Sequence, residues 1–267
     1  MLLSVIIIGY NSLDYLKKNL ASLSFLKDTP DSEIFYVDNA STDGTIAYIE
    51  NVYPFVKIIR NAENKGIAKA RNQGLREARG EYIWILDSDT EVTKEALDSM
   101  LTYMNSHPDV GICGCRLLGQ DGTTQFSCRK YPTVREKLKA AIHIIGNKIG
   151  LDIYSDVSRR NSYDLEQHDA FDVDYLIGAC QLIRREVLQL VGFLDENIFY
   201  GPEDADFCYR THQVGYRVCY LPMIHIYHAY QRVSSYKIFN KITYKHITGL
   251  IYYFWKCRSE KKKAITM

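Results

Sequence analysis

The stretch Tyr82-Ile-Trp-Ile-Leu-Asp-Ser-Asp89 sets five bulky, mostly apolar side chains immediately before two carboxylates. A short apolar run with polar residues after it is typical of a strand buried on both faces of a parallel sheet. Two carboxylates at the end of such a strand lie within reach of one divalent cation, and their oxygens suit Mg²⁺ or Mn²⁺. The triplet Asp87-Ser88-Asp89 is therefore the first candidate site.

The chain before this strand repeats the same pattern three times. The runs 3–8, 33–38 and 56–59 predict strands, and the segments that follow them carry apolar residues at helical spacing. Four such units within about 90 residues favour an α/β fold with a mostly parallel, doubly wound central sheet flanked by helices.

Polar side chains follow three of the predicted strands. In open α/β sheets, ligands bind at the carboxyl ends of the strands. We therefore expect one edge of the sheet to gather Tyr10, Asn11, Asp38, Asn39 and the triplet. A turn or helix-capping role is the competing explanation for each Asn or Asp taken alone.

The second half of the chain has a mixed pattern. Strands are predicted over 110–113, 172–183 and 216–220, helices over 185–191 and 205–213, and a hairpin turn at residues 121 and 122. Residues 133–170 are polar and predict a loop and helix over the site. No repeat or linker interrupts the chain, so we predict a catalytic domain over 1–230 and a helical extension over 231–267.

Two more clusters could carry chemistry. In Glu203-Asp204-Ala205-Asp206, a carboxylate could act as a general base, whereas acids also favour the N-terminus of a helix. Both interpretations can hold, and Asp206 is assigned a capping or packing role. His225 and His228 follow the last predicted strand; either could be a metal ligand or a structural histidine.

Composition narrows the class of protein. The chain has 267 residues, 46% hydrophobic and 24% charged, as in ordinary globular proteins. A net charge of +1 argues against a nucleic-acid partner bound over the whole surface. Seven cysteines without a CxxC pair predict reduced thiols. No signal peptide and no apolar run of about 20 residues are evident, so a cytoplasmic location is expected.

Charge is unevenly distributed along the chain. From residue 231 onward nine Lys and Arg face the single acid Glu260, which makes the tail about +8 and the body about −7. Apolar and aromatic residues over 236–258 recur at largely helical spacing, with lysines between them. Residues 236–263 therefore suit the membrane–water boundary, and the protein would lie at the inner face of the plasma membrane. Packing on the catalytic domain, or on a second subunit in a homodimer, is the alternative.

Several motifs occur in an order that resembles family-2 glycosyltransferases with the A-type nucleotide-sugar fold, in particular the bacterial rhamnosyltransferase-like enzymes of polysaccharide assembly. The resemblance runs from about residue 3 to 235. Its motifs are 5–11 (VIIIGYN), 37–45 (VDNASTDGT), 64–74 (NKGIAKARNQG), 85–90 (ILDSDT), 178–185 (GACQLIRR), 191–195 (VGFLD), 203–210 (EDADFCYR) and 215–222 (GYRVCYLP).

The resemblance implies roles for the donor-binding residues. Tyr10, Asn11 and Asp38 would hold a nucleobase, with Asp38 accepting from the ring N–H of uracil or thymine. Asn39 and Arg71 would lie near the ribose or diphosphate.

The resemblance also implies a metal site and a base. Asp89 would be the direct ligand of Mg²⁺ or Mn²⁺, and Asp87 would contact the ribose or a metal-bound water, with Ser88 beside them. A histidine six residues after the strand-ending Pro222 is implied as a further ligand, which selects His228. Asp204 would be the catalytic base and Glu203 would shape the acceptor site.

The activity implied is an inverting transfer of a sugar to a hydroxyl of a saccharide or polyprenyl-linked acceptor. The rhamnosyltransferase-like group often carries Asn-Pro-Asp where this chain has Asp87-Ser88-Asp89, which leaves the donor open between UDP- and dTDP-sugars. A nucleotidyltransferase and a nucleotide-binding regulatory domain without catalysis are the alternatives. The first would carry a Gly-rich, basic phosphate loop after the first strand, and the second a broken base or triplet. The chain has none of these features.

Overall fold

A computed structural model describes residues 2–139, 142, 163–165, 167–229 and 241–266, without the side chains of 241, 242 and 258–266. Its strands are β1 (Leu3–Gly9), β2 (Ser32–Asp38), β3 (Lys57–Arg60), β4 (Tyr82–Asp87), β5 (Thr90–Glu91), β6 (Val110–Leu118), β7 (Thr124–Gln125), β8 (Cys128–Arg129), β9 (Phe171–Asp172), β10 (Tyr175–Leu176), β11 (Cys180–Arg184) and β12 (Arg217–His228). Its α-helices are α1 (Leu13–Ser22), α2 (Thr45–Val52), α3 (Ile67–Glu77), α4 (Lys94–Ser106), α5 (Arg185–Val191), α6 (Glu203–Gln213) and α7 (Lys241–Thr266).

One large sheet forms the centre, in the order β3-β2-β1-β4-β11-β6-β12-β5. The first four strands in this order are parallel, as are β6 and β12, whereas β11 is antiparallel to both of its neighbours. The predicted mixed α/β architecture, a mostly parallel sheet flanked by helices, is confirmed.

Apolar layers cover both faces of the sheet. Along β1, Val5 and Ile7 face one hydrophobic cluster, which includes residues of α1 and α4. Ile6 faces the other cluster, which includes residues of α3 and α6. Because each successive side chain must be apolar to serve one of these layers, the strand reads as a continuous apolar run rather than an alternation.

The strand register brings the predicted polar residues to one edge. Gly9 lies opposite Asp38 on β2, and Ile8 lies opposite Asp87 on β4. Since β11 runs in the reverse direction, its beginning lies at this same edge, where Ala179 accepts a hydrogen bond from the Asp87 N–H at 3.2 Å. The site is therefore built from strand ends and from one strand beginning.

The structure differs from the prediction in the bounds of two strands. The single strand over 172–183 is wrong: the segment forms β9, β10 and β11. The Asp174 carboxylate accepts hydrogen bonds from the Tyr131 N–H and the Tyr163 hydroxyl, which turns the chain out of the sheet. The last strand runs past 220 as far as His228, with a register irregularity between Leu221 and His225. Within 133–170, residues 134–139 are helical, and most of the rest lies outside the described residues.

The C-terminal segment forms α7, as its helical spacing predicted, although 231–240 lie outside the described residues. Leu250 and Tyr253 are buried against the rest of the chain. Within the described part of the chain, no helix combines the length and apolar character needed to span a bilayer. The division of the chain at 230 and 231 stays a prediction.

Candidate active site

Two polar side chains hold the backbone of the acidic triplet in place. Asn19, fully buried on α1, donates from Nδ2 to the carbonyl of Thr90 at 2.9 Å and to that of Asp87 at 3.4 Å. The Thr90 hydroxyl donates to the Asp87 carbonyl at 2.9 Å. These bonds fix the turn between β4 and β5, so the two carboxylates are presented from a rigid support.

Asp87, Asp89 and His228 form one cluster. A ligand atom from each lies within 4.8 Å of the other two, and Nε2 of His228 is 3.3 Å from Oδ1 of Asp89. The reason is the pairing of β12 with β5, in which His228 lies opposite Thr90. Of the two histidines in the motif, the structure therefore brings His228 rather than His225 to the triplet.

Gln125 fixes the ring of His228 and was not singled out from the sequence. Its Oε1 lies 2.7 Å from Nδ1 of His228, and its Nε2 donates to the His228 carbonyl at 2.8 Å. An amide oxygen can only accept, so Nδ1 carries the proton and Nε2 faces Asp89. A hydrogen bond to the second ring nitrogen is the usual support of a metal-bound histidine.

The donor set fits a divalent cation. Two carboxylates and one imidazole nitrogen converge, a combination that suits Mn²⁺ and, through its oxygens, Mg²⁺. Burial would lower the pKa of His228, but the Asp89 carboxylate beside it raises that pKa above the ordinary value. Burial raises the pKa of Asp87, against the effect of Arg71, and the nearby Asp89 charge adds to the rise. A bound cation would offset this concentration of negative charge.

Arg71 connects the triplet to the second acidic cluster. Its guanidinium, 3% exposed, donates to Oδ1 of Asp87 at 2.6 Å, to the carbonyl of Gly178 at 2.7 Å and to Oε1 of Glu203 at 3.4 Å. The close approach requires glycine at 178, because a Cβ there would lie 2.1 Å from Nη1 of Arg71. The predicted contact of Arg71 with ribose or diphosphate stays a prediction.

Glu203 and Asp204 begin α6, two residues earlier than the predicted helix start. Glu203 is 3% exposed, and its burial raises its pKa to about 7, with the neighbouring Asp204 charge adding to the effect and Arg71 opposing it. Burial also raises the pKa of Asp204, while a 2.8 Å hydrogen bond from the Ala205 N–H opposes the rise. The pair thus combines a buried, readily protonated acid with a more exposed carboxylate at a helix N-terminus.

The loops after β1 and β2 form the other end of the site. Asp38 is buried; its Oδ2 accepts from the Ser41 N–H at 3.1 Å, and its buried Oδ1 has no hydrogen-bond partner among the described residues. Oδ1 of Asn11 accepts from the Thr42 N–H at 2.8 Å and joins the two loops, while Tyr10 is exposed. Such a buried orphan acceptor is the feature expected where a ligand N–H completes the hydrogen bonding.

Two other predicted residues have protein partners. Asn39 is buried and holds the loop before α3: its Oδ1 accepts from the Lys65 N–H at 2.9 Å, and its Nδ2 donates to Asn64 at 3.0 Å. The Ser88 hydroxyl donates to that of Ser12 at 2.9 Å. Both residues lie at the predicted edge, and their contact with a nucleotide stays a prediction.

A cavity of about 520 Å³ opens beside the Asp87–Asp89–His228 cluster, on the side away from Asp38. It is lined largely by the β6–β7 hairpin and its neighbours, including Gln120, Thr123, Gln125, Arg129 and His228. Along the edge of the sheet there follow, in order, the Asp38 oxygen without a partner among the described residues, the Asp87–Asp89–His228 cluster and this polar cavity.

The family model described as glycosyl transferase family 2 matches residues 4–192. An N-acetylglucosaminyl-diphospho-decaprenol L-rhamnosyltransferase of Mycobacterium tuberculosis is 26% identical over 238 residues, which is 85% of this chain and 75% of the relative. Abequosyltransferase RfbV of Salmonella typhimurium is 37% identical over 126 residues, 45% of this chain and 38% of the relative.

Solved structures share the fold. Mannosyltransferase PcManGT from Pyrobaculum calidifontis, in complex with GDP-Man and Mn²⁺, matches with a TM-score of 0.59 at 22% identity, over 86% of this chain and 57% of that one. S. aureus TarS in complex with UDP-GlcNAc matches with a TM-score of 0.57 at 22% identity, over 89% and 62%. The chain thus spans about three fifths of the length of these structures. With the family model covering well over half of its residues, the chain belongs to glycosyl transferase family 2.

Proposed function

We propose that the protein transfers a sugar from a UDP- or dTDP-sugar to a hydroxyl acceptor, with inversion at the anomeric carbon, in the assembly of a cell-surface glycan. The observation that carries the proposal is the Asp87–Asp89–His228 cluster, with the buried Arg71 running from it to the acids of α6. One crevice then holds both a site for a leaving diphosphate and a base for an incoming hydroxyl.

The donor would lie along the sheet edge from β2 to β4. Oδ1 of Asp38 is suited to accept from the ring N–H of uracil or thymine, because it is a buried acceptor with no other partner among the described residues. This specificity excludes cytosine, whose corresponding ring nitrogen carries no proton. Tyr10 and Asn11 would contact the base, and Asn39 and Ser88 the ribose side.

A divalent cation held by Asp87, Asp89 and His228 would supply positive charge beside the departing diphosphate. The residues of the chain position that charge. Gln125 orients His228, Asn19 and Thr90 fix the triplet turn, and Arg71 holds the Asp87 carboxylate in place.

The acceptor would enter from the cavity beside His228, with Asp204 as base and Glu203 shaping the site. The Asp204 carboxylate takes the proton of the acceptor hydroxyl while the acceptor oxygen forms the new bond to C1 of the donor sugar. The bond from C1 to the diphosphate oxygen breaks, and its electron pair leaves with the nucleoside diphosphate. One displacement of this kind inverts the anomeric configuration. The name of the M. tuberculosis relative includes a lipid diphosphate, which supports a polyprenyl-linked acceptor.

Nucleotide binding tests the donor half of the proposal. Thermal unfolding with Mn²⁺ and a panel of UDP, dTDP, GDP and CDP should show a rise in Tm for UDP or dTDP and little for the others. Asp38→Asn should remove most of the rise, while Glu50→Gln, at an exposed helix position away from the site, should retain it. If none of the four nucleotides raises the Tm, the proposal is wrong. Release of inorganic diphosphate rather than a nucleoside diphosphate would instead indicate a nucleotidyltransferase.

Replacement of the base tests the second half. Asp204→Asn should lower kcat about 10³-fold, the range that a general base contributes, and change the donor Kd less than about threefold. Glu203→Gln should retain measurable transfer, since that side chain shapes the site without taking the proton. Full activity of Asp204→Asn, or a complete loss of activity in Glu203→Gln alone, would show that Asp204 is not the base.

A further inference from the structure

Helix α7 has one face packed on the catalytic domain. Gly249 and Leu250 are buried, a Cβ at Gly249 would lie 2.8 Å from the Gly201 carbonyl, and Nδ1 of His246 lies 3.3 Å from the carbonyl of Tyr200. Further along the helix, Lys256 pairs with Asp195 at 2.8 Å and with the buried Asp206 at 2.7 Å. These contacts account for one face of the helix only.

The opposite face carries a stripe of large apolar side chains. Tyr244, Ile247, Ile251 and Trp255 are exposed by 66%, 50%, 64% and 65%. Their spacings of three, four and four residues place them on one line along the helix. A row of four such residues is far more than the scattered apolar exposure of an ordinary surface and marks an interaction site. We call these four residues the α7 stripe.

Charge indicates what covers the α7 stripe. Helix α7 contains seven Lys and Arg and the single acid Glu260, and four of the basic residues follow the stripe at 258 and 261–263. Aromatic rings beside lysines and arginines suit the boundary between lipid tails and anionic headgroups. A second copy packed parallel on this face would set the two basic ends side by side, and a copy packed antiparallel would set each basic end beside Lys241 and Lys245. Like charge therefore disfavours self-association in either direction.

We propose that the α7 stripe docks on a bilayer surface of anionic lipids, with α7 lying in the plane of that surface. The packed face of the same helix contacts residues 195–201, which lead directly into the acids at the start of α6. Docking therefore brings residues 195–201 and the start of α6 to within about one helix diameter of the headgroups. Surface binding of this kind requires neither donor nor cation.

Co-sedimentation of the full chain with vesicles tests the proposal. The protein should pellet with vesicles of phosphatidylglycerol and phosphatidylcholine and remain largely in solution with phosphatidylcholine alone. The double variant Ile251→Ser, Trp255→Ser should bind the anionic vesicles at least about tenfold more weakly, through loss of buried apolar area. Lys261, Lys262 and Lys263 replaced by Gln should weaken binding by a comparable factor, since each contributes electrostatic attraction.

Leu190→Ser is the matched control, because Leu190 is 55% exposed on α5, outside the stripe, and its loss should leave binding unchanged. Thermal unfolding should show that all variants retain the fold. Equal vesicle binding by wild type and the double variant would overturn the proposal, and so would the absence of binding to either vesicle. A dimer in sedimentation velocity that the double variant dissociates, without vesicle binding, would assign the stripe to a second copy. Donor binding stays intact in each of these outcomes, so they do not bear on the proposed reaction.

Discussion

At the scale of single residues, the arrangement of the site depends on side chains whose hydrogen bonds go to other parts of the chain. Gln125 contacts His228 at both its ring and its carbonyl, and Asn19 contacts both ends of the triplet turn. Each of these amides holds its partner in one position. Without Gln125 the His228 ring could rotate, and without Asn19 the triplet turn would lose a support.

Gln125→Ala should raise the Mn²⁺ concentration needed for half-maximal activity by about 10- to 100-fold, the usual effect of losing a partner of a metal-bound histidine. Mn²⁺ affinity measured by electron paramagnetic resonance of the free ion should fall by the same factor. Gln189→Ala, which removes an exposed amide of α5, is the control. An unchanged Mn²⁺ affinity in Gln125→Ala would show that His228 is not a ligand or needs no support.

Glu203 should make stability depend on pH. Its pKa is about 7 in the folded chain and about 4.5 as the ordinary value, so the folded state binds more protons between these values. The contribution of Glu203 to the free energy of unfolding is therefore greatest below pH 4.5. It falls as the pH rises through 7, by at most about 3 kcal/mol. Glu203→Gln should raise Tm at pH 8.5 relative to wild type and bring little gain at pH 5. A larger gain at pH 5 than at pH 8.5 would contradict the assignment.

Some residues of the candidate site could be predicted from the sequence and others could not. Asp38 and Asp87 follow apolar strands, and the rule that parallel strands end at one edge was enough to bring them together. Gln125 and Asn19 could not be found, because their roles depend on contacts with residues 103 and 71 positions away. His228 could be separated from His225 only by family spacing, since the pairing of β12 with β5 has no local signal.

At the scale of elements, the reversed strand β11 is what the periodicity could not show. Its apolar run joins the preceding one in sequence, so 172–183 reads as one strand, although Asp174 and the turn at Gly178 divide it. The division is functional as well as geometric, because the turn lets the Gly178 carbonyl reach Arg71.

Gly178→Ala should therefore affect activity more than stability. The added Cβ would occupy the position of the Arg71 guanidinium, and this displacement should break its contact with Asp87. We expect kcat to fall at least about tenfold, with a stability loss of about 1–3 kcal/mol for the forced rearrangement. Gly122→Ala, at a hairpin turn with φ of +77° and open space around it, should cost stability alone. Equal activity losses in the two variants would contradict the role of Gly178.

At the scale of the whole molecule, one buried carboxylate is among the groups that link the C-terminal helix to the rest of the described chain. Asp206, 1% exposed, pairs with Arg210 on its own helix and with Lys256 on α7. The sequence predicted a packing role for Asp206 and a helix for the tail. It could not predict the link between them, which depends on how two distant helices meet.

Lys256→Met should loosen this link. Methionine keeps much of the side-chain length and removes the charge, which leaves Asp195 without that partner and Asp206 with Arg210. We expect a loss of about 2 kcal/mol in the free energy of unfolding and faster amide hydrogen exchange over residues 243–257. Lys245→Met removes an exposed lysine of the same helix whose Nζ lies 5.1 Å from the centroid of the Phe199 ring, and it should cost less, about 0.5–1 kcal/mol. Unchanged exchange in Lys256→Met would show that the apolar contacts alone hold α7.

The short pairing of β8 with β10 places Cys128 opposite Leu176 and Arg129 opposite Tyr175, so the two ends of the chain between them are held together by a closed stem. For a loop whose ends are already fixed, doubling the length costs only about 0.6 kcal/mol of chain entropy. The chain ahead of β9 can therefore change in length at little cost to the sheet, whereas β9 itself pairs with β12. Because the stem borders the cavity through Arg129, such changes would alter the cavity while the surroundings of Asp38 stay the same. The stem is thus a natural point at which new specificities can be exchanged between relatives, by recombination or by design.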